Sequence, residues 1–205
     1  MNRDQIMEQA RRDVQDARRI VVFSLGRLRY AVLAIPVVLI AIIAYLVTIG
    51  ILPGGSMQPP AEAAAIVVLT IALVVAFWRW RQGREPYFLW LSFLIAAFIA
   101  REIHLKGTTP ACFIAIVLVF YVGLRRYALM AEYFASRTVV TLFILVLFTY
   151  ALTEALDAHF LAFLPHEKVF ERPTEEVVEV FGHLTLLLMV LVSRKGTEPL
   201  DLNAA

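Results

Sequence analysis

The sequence predicts an all-α integral membrane protein in which six transmembrane helices form a bundle, preceded by a basic amphipathic cytoplasmic helix. Of the 205 residues, 60% are hydrophobic and 18% are charged, and the mean hydropathy is +0.76. Soluble domains average about 45–50% apolar and about 25% charged residues. Several uncharged runs also approach the roughly 20 residues that cross about 30 Å of hydrocarbon. A soluble single-domain protein is therefore excluded.

Six uncharged runs are the predicted spans. In chain order they are Tyr30–Leu52, Ala63–Trp80, Pro86–Ala100, Thr108–Leu124, Thr138–Thr153 and a last run that ends near Ser193. The first run is longer than the apolar core of about 7–15 residues in a secretory signal, so it is interpreted as a retained signal anchor. We expect Pro36 to kink this helix. We also expect Trp78, Trp80 and Trp90 to form an aromatic belt at the cytoplasmic interface.

The orientation follows from the distribution of basic residues. With the amino terminus inside, 15 of the 19 Lys and Arg residues fall in cytoplasmic segments. Basic residues retained on the cytoplasmic side set the orientation of a membrane protein. The sequence therefore predicts a protein of the bacterial cytoplasmic (inner) membrane with both termini cytoplasmic.

Three segments divide the chain: a cytoplasmic amphipathic basic helix in residues 1–28, a six-helix transmembrane domain in residues 29–195 and a short cytoplasmic tail in residues 196–205. The first segment has apolar residues at helical spacing, namely Ile6, Ala10, Val14, Ala17 and Val21. This helix lies on the anionic inner leaflet, contacts a cytoplasmic protein partner, or is solvated and only orients the chain. Membrane lipid and such a protein are the expected partners, and no nucleic acid is expected.

Acidic and histidine side chains collect at the predicted outer ends of three spans. A helical rise of about 1.5 Å per residue puts Glu102 roughly 27 Å from Arg84. The layer contains Glu102 and His104, then Glu154, Asp157 and His159, then Glu175, Glu176, Glu179 and His183. Polar residues at helix ends are ordinary, so some members are also explained as ends that reach water, namely Asp157, His159, Glu175 and His104.

Helix length singles out Glu179 within this layer. The uncharged run Val180–Ser193 is about 21 Å long as a helix, shorter than the roughly 30 Å hydrocarbon core. A carboxylate has little reach toward the interface, unlike Lys or Arg. We therefore expect Glu179 to point into the bundle towards Glu102 and Glu154, with Arg101, a proton or a cation as its partner.

Helical spacing assembles one candidate site from the layer. Residues three, four and seven apart share a helix face, whereas His159 and His104 face away from their neighbouring glutamates. The predicted site contains Glu102, Glu154, Asp157, Glu176, Glu179 and His183, with Arg101 as the nearest counter-charge. Carboxylates suit magnesium, calcium or manganese, and histidine admits iron or zinc. The set is either a divalent metal site or a structural group of ion pairs.

Three short motifs between about residues 85 and 193 resemble a family of uncharacterised bacterial multi-pass inner-membrane proteins. They are Arg101-Glu102-Ile103-His104 followed by Lys106, Leu156-Asp157, and Glu175-Glu176-Val177-Val178-Glu179-Val180. The resemblance implies functional positions at Arg101, Glu102, Asp157, Glu175, Glu176 and Glu179. The family has Asp and then His after its Arg-Glu pair, where this chain has His104 and Lys106. The family implies no known activity.

Three functions are consistent with these observations. The favoured one is an accessory or assembly subunit, in which buried charges fix helix packing and the basic N-terminal helix meets a partner. The alternative is a metal-dependent membrane-embedded enzyme that acts on a lipid or lipid-linked substrate, with Glu179 or His183 as ligands and Glu102 or Glu154 as general base. Cation or proton transport is third, because the acidic residues occupy one leaflet. No phosphate loop, dinucleotide fingerprint or serine elbow names a reaction.

Overall fold

The computed structural model describes residues 28–52, 58–103, 109–159 and 167–196, with seven separate positions in the N-terminal segment. Over these residues the chain is helical and contains no strand, which confirms the predicted all-α class. Outside them lie the rest of the predicted N-terminal helix, the loop at residues 53–57, His104 and the tail after residue 196.

A 3₁₀ turn at Tyr30–Leu33 leads into α1. The helices are α1 (Ala34–Thr48), α2 (Gln58–Gly83), α3 (Pro86–Glu102), α4 (Thr109–Arg125), the short α5 (Ala131–Phe134), α6 (Arg137–Asp157) and α7 (Glu167–Val192). Three segments of the described chain are long and apolar enough to cross a membrane, namely Tyr30–Thr48, Pro60–Gly83 and Arg137–Asp157. Their length and composition support association with a membrane.

Two helix starts differ from the sequence expectation. The α-helix α1 begins only at Ala34, after the 3₁₀ turn, and Pro36 occupies its first turn, where a proline is tolerated. Helix α7 begins at Glu167, about two turns before Glu175, and continues through Pro173 to a length of 26 residues. Glu175 and Glu176 therefore lie inside the last helix instead of at its start.

The long helices alternate in direction, so the bundle has two chemically different ends. At one end, Arg79 of α2 reaches the C-terminus of α7, and the Arg29 N–H donates to Thr141 Oγ1 near the start of α6. We call this the basic end. At the opposite, acidic end, Arg101 contacts glutamates of α6 and α7. Helix α7 packs against α1, α2 and α6, and α3 packs against α2 and α4.

The end of α7 is held by an α2 side chain that caps its carbonyl groups and by an α3 side chain that contacts Ser193. Arg79 donates to the carbonyl oxygens of Val190, Leu191 and Ser193. The Tyr87 hydroxyl lies 2.9 Å from Ser193 Oγ. The last carbonyls of a helix have no partner within the helix, and a guanidinium also suits the negative end of the helix dipole. These contacts fix the C-terminus of α7 at the basic end.

Lys195, just beyond α7, joins two connecting segments at the same end. Its Nζ lies 2.9 Å from both Glu85 Oε1 and Glu132 Oε2, and the Gly196 N–H donates to the Glu132 carbonyl at 2.7 Å. The hydrogen bonds to Glu132 and Glu85 raise the pKa of the Lys195 ammonium above its usual range. The lysine is therefore charged at neutral pH.

Trp90 lies in the core, which corrects its predicted place in the aromatic belt. Its side chain is buried, and its Nε1 donates to the Val119 carbonyl of α4 at 2.8 Å, so the indole N–H needs no interfacial water. Gly123 makes room for the ring, because an added Cβ there would lie 2.7 Å from Trp90 Nε1. Trp78, in contrast, is exposed on the surface of α2.

We expect Gly123→Ala to destabilise the protein by about 1–3 kcal/mol, because overpacking against a rigid ring forces the ring or the helix to move. Gly83→Ala is the matched control, since its added Cβ meets only the flexible side chain of Glu85, at 3.2 Å. Thermal unfolding of the detergent-purified variants measures both effects. Equal stability of the two alanine variants would contradict the packing of α4 on Trp90.

Candidate functional site

Arg101, one residue before the end of α3, joins three helices at the acidic end. Its Nη1 lies 2.7 Å from Glu179 Oε1 on α7, and its Nη2 lies 2.8 Å from Glu154 Oε1 on α6. A planar guanidinium presents several donors at fixed angles, so one Arg side chain can hold two carboxylates from different helices. The predicted inward orientation of Glu179 and its pairing with Arg101 are confirmed.

Three side chains next to Arg101 form a group that we call the Glu–Glu–His cluster: Glu102, Glu179 and His183. One ligand atom from each lies within 4.8 Å of the others. His183 Nε2 is 3.7 Å from Glu102 Oε1, and a hydrogen bond joins the side chains of Glu102 and Glu179. Arg101 Nη1 lies 3.6 Å from Glu102 Oε1. The cluster therefore links α3 to α7 through side chains.

The imidazole of His183 is fully buried at the inner side of this cluster, with an exposed fraction of 0%. Neither of its ring nitrogens has a hydrogen-bond partner among the described residues. Leaving a buried polar group without a partner costs about 1–3 kcal/mol. Both ring nitrogens of His183 are therefore available beside the two carboxylates of the cluster.

Packing with α6 fixes the orientation of His183. The Tyr150 ring meets the imidazole edge to face, with ring centroids 5.6 Å apart, and Phe98 of α3 stacks on Tyr150 at 4.3 Å. Gly182 lets α7 approach α6 closely, because an added Cβ would lie 3.2 Å from Thr149 Cγ2. The ring has little freedom to turn away from the cluster.

The other predicted site residues lie around the cluster. Glu154 is held by Arg101, and its side chain is 45% exposed, so it connects the site to solvent. Glu176 lies close enough to Glu102 for their charges to repel each other. Asp157 is exposed at the end of α6 and does not belong to the cluster. Among the described residues, three of the six predicted ligands are therefore brought together directly, and Glu154 is attached to them through Arg101.

Two contacts at the acidic end were not predicted from the sequence. His159 Nδ1 lies 2.8 Å from Glu171 Oε1. This histidine therefore pairs with a residue outside the cluster. Tyr150 contacts His183, and its hydroxyl is buried without a hydrogen-bond partner in the described part of the chain. Tyr150 precedes Glu154 by four residues and so shares its helix face, a spacing that would have identified it as a neighbour of the site.

The charge and donor atoms of this arrangement suit a divalent metal ion. Arg101 is surrounded by the carboxyl groups of Glu102, Glu154 and Glu179. Even with the one proton that the Glu102–Glu179 hydrogen bond requires, two carboxylates face one guanidinium, so the group carries a net negative charge that a dication would offset. Carboxylate and imidazole together are ligands of zinc, iron and manganese. Ligand atoms about 2.0–2.2 Å from one ion lie about 3–4 Å apart, so small side-chain movements would complete the shell.

Comparison of the chain with protein-family models, with curated proteins and with solved structures gives no match. The resemblance to a family of inner-membrane proteins therefore stays a prediction. The geometry of the Glu–Glu–His cluster and of Arg101 is the basis for a functional proposal.

We expect Arg101→Gln to destabilise the protein by about 3–5 kcal/mol, because it leaves partly buried carboxylates without their counter-charge. Arg81→Gln, at an exposed position of α2, removes the same charge and should change stability by less than about 0.5 kcal/mol. Thermal unfolding in detergent measures the difference. Adding Glu179→Gln to Arg101→Gln should recover part of the loss, whereas wild-type stability of Arg101→Gln itself would show that the ion pairs do not hold the helices.

Proposed function

We propose that this chain is a multi-pass membrane protein that binds one divalent transition-metal ion through Glu102, Glu179 and His183. The observation that carries the proposal is the buried imidazole of His183, whose two nitrogens lack partners among the described residues beside two carboxylates. Arg101 is an outer-shell partner that orients the Glu179 carboxylate.

A metal-dependent reaction is the chemistry that such a site supports. Three protein ligands leave at least one position for water or substrate, as in catalytic zinc sites. A metal ion held there would lower the pKa of a coordinated water and so would supply a nucleophile near neutral pH. The half-exposed Glu154 is placed to act as general base, because Arg101 holds it at the solvent side of the cluster. A lipid or lipid-linked substrate would reach this site from the outer border of the membrane.

The binding test is metal content after equilibration of the detergent-purified protein with zinc or manganese. We expect about one ion per wild-type chain. Glu179→Gln and His183→Gln should each weaken binding at least about tenfold, since even outer-shell substitutions at metal sites cost about 10–100-fold. His159→Gln is the matched control, because His159 lies at the same end but pairs with Glu171.

The control also separates metal loss from misfolding. Each variant is compared with wild type by circular dichroism and thermal unfolding before metal is added. A wild-type protein that takes up no ion, or a His159→Gln variant that loses binding as strongly as His183→Gln, would contradict the proposed site.

A second candidate is an accessory or assembly subunit without its own reaction. The observation that favours it is Arg101, which ties α3, α6 and α7 together and has a structural role whether or not metal binds. Two measurements separate the candidates. An assembly subunit loses stability in Arg101→Gln, and its wild-type form binds no metal. A metal-dependent protein loses stability in the same variant, and its wild-type form binds metal.

The proposed topology has six spans and both termini cytoplasmic in a bacterial inner membrane. Its support is the alternating direction of the six long helices in the described part of the chain and the positions of Arg79, Arg194 and Lys195 at one end of the bundle. This orientation places the Glu–Glu–His cluster near the outer face.

Reporter fusions test this topology. A reporter fused after Ala205 should read as cytoplasmic, because most basic residues lie on that side. A reporter inserted within residues 54–58 should read as external. A cytoplasmic signal from the reporter within residues 54–58 would mean that the first span is reversed or absent. An external signal from the reporter after Ala205 would mean that the chain has an odd number of spans.

A further inference from the structure

A groove on the membrane-facing side of α3 and α4 ends at a positive charge. It has a volume of about 390 Å³, and its lining includes Leu89, Trp90 and Phe93 from α3 and Leu118 and Val122 from α4. Arg126, which follows α4, lines the same groove at the basic end of the bundle. An apolar groove with a guanidinium in its lining matches the two parts of a phospholipid, an apolar acyl chain and a charged phosphate.

The charge of Arg126 is available to a ligand. Its side chain is exposed, and it forms no ion pair with any carboxylate of the described chain. The neighbouring Arg125 instead lies over the ring of Tyr121, 5.9 Å from its centroid. Among the described residues, the Arg126 guanidinium therefore has no carboxylate partner where the groove meets the interface.

The Trp90 side chain lines the groove in a fixed orientation. The hydrogen bond from its Nε1 to the Val119 carbonyl and the close contact with Gly123 hold the ring between α3 and α4. The lining side chains at the rim, Phe93, Leu118 and Val122, are all exposed, so a chain can enter from the side. The groove is therefore preformed and does not require the helices to separate.

A second hollow, on the surface of α2 alone, differs from the groove in having only one wall. Leu73, Val74, Phe77 and Trp78 line it together with Arg81 and Gln82, and all six residues belong to α2. A hollow on one helix has no opposite wall to contact a bound chain. The groove between α3 and α4 has two walls, so it provides more apolar contact for each methylene group.

We propose that this groove binds one anionic phospholipid of the cytoplasmic leaflet, with an acyl chain between α3 and α4 and its phosphate on Arg126. The inference rests on the proposed topology, because Arg126 must lie at the inner interface, where anionic lipids attract basic side chains. It does not depend on metal binding, which takes place at the other end of the bundle.

Native mass spectrometry of the full chain in detergent, titrated with phosphatidylglycerol or phosphatidylcholine of identical acyl chains, tests the proposal. We expect saturable binding of one phosphatidylglycerol and about tenfold weaker binding of phosphatidylcholine. Arg126→Gln should reduce phosphatidylglycerol binding to the phosphatidylcholine level, as expected for the loss of one charge-assisted contact. Arg81→Gln removes the same charge from the single-helix hollow and should leave binding unchanged.

A steric pair tests the groove itself. Val122→Trp fills it and should abolish binding of both lipids, whereas Val117→Trp, at an exposed position of α4 outside the groove, should have no effect. If Val122→Trp does not fold, phosphatidylglycerol binding by Arg126→Gln and Arg81→Gln tests the proposal instead. Equal binding by Arg126→Gln and wild type, or an equal loss in Arg81→Gln, would overturn the proposal, and neither result would alter the reporter or metal measurements.

Discussion

The ion pairs of Arg101 are the interaction on which the acidic end of the bundle depends. Two carboxylates from α6 and α7 converge on one guanidinium from α3, and a third, that of Glu102, follows it in the chain. Like charges brought this close in a medium of low dielectric would separate the helices without a cation between them. Arg101 supplies that cation, yet it leaves the group negative and His183 without a partner among the described residues. The same arrangement that stabilises the bundle therefore has the donor atoms and the charge of the metal site that we propose.

Helix α7 is fixed at both ends by different means. At the basic end, Arg79 of α2 donates to the last carbonyls of the helix and Tyr87 of α3 contacts the Ser193 hydroxyl, so polar groups there have side-chain partners from two helices. At the acidic end, Glu179 and His183 contact the side chains of Arg101 and Glu102 on α3. These are contacts between side chains, not caps of the helix backbone. A ligand that binds there only in the folded state would stabilise the bundle by mass action. The proposed metal binding would thus be coupled to helix packing through α7.

Much of this organisation is predictable from the sequence, because hydropathy and helical spacing are local properties. The all-helical class, the inward orientation of Glu179 and its pairing with Arg101 follow from run length and from the short reach of a carboxylate. Contacts between helices are not local, so Trp90 was expected at an interface although Gly123 of another helix accommodates it in the core. For the same reason helical spacing grouped Asp157 with Glu154, whereas the packing of α6 against α7 leaves Asp157 exposed and brings Tyr150 to the cluster.

X-ray absorption spectroscopy of the zinc-loaded protein tests the central claim most directly, because it identifies the atoms around the ion. The Glu–Glu–His cluster predicts one imidazole nitrogen at about 2.0–2.1 Å together with carboxylate oxygens at about 2.0–2.2 Å. His183→Gln should remove the imidazole signal, and His159→Gln should preserve it. A shell without imidazole, or an imidazole signal that survives His183→Gln, would contradict the assignment and leave Arg101 and its glutamates with a structural role alone.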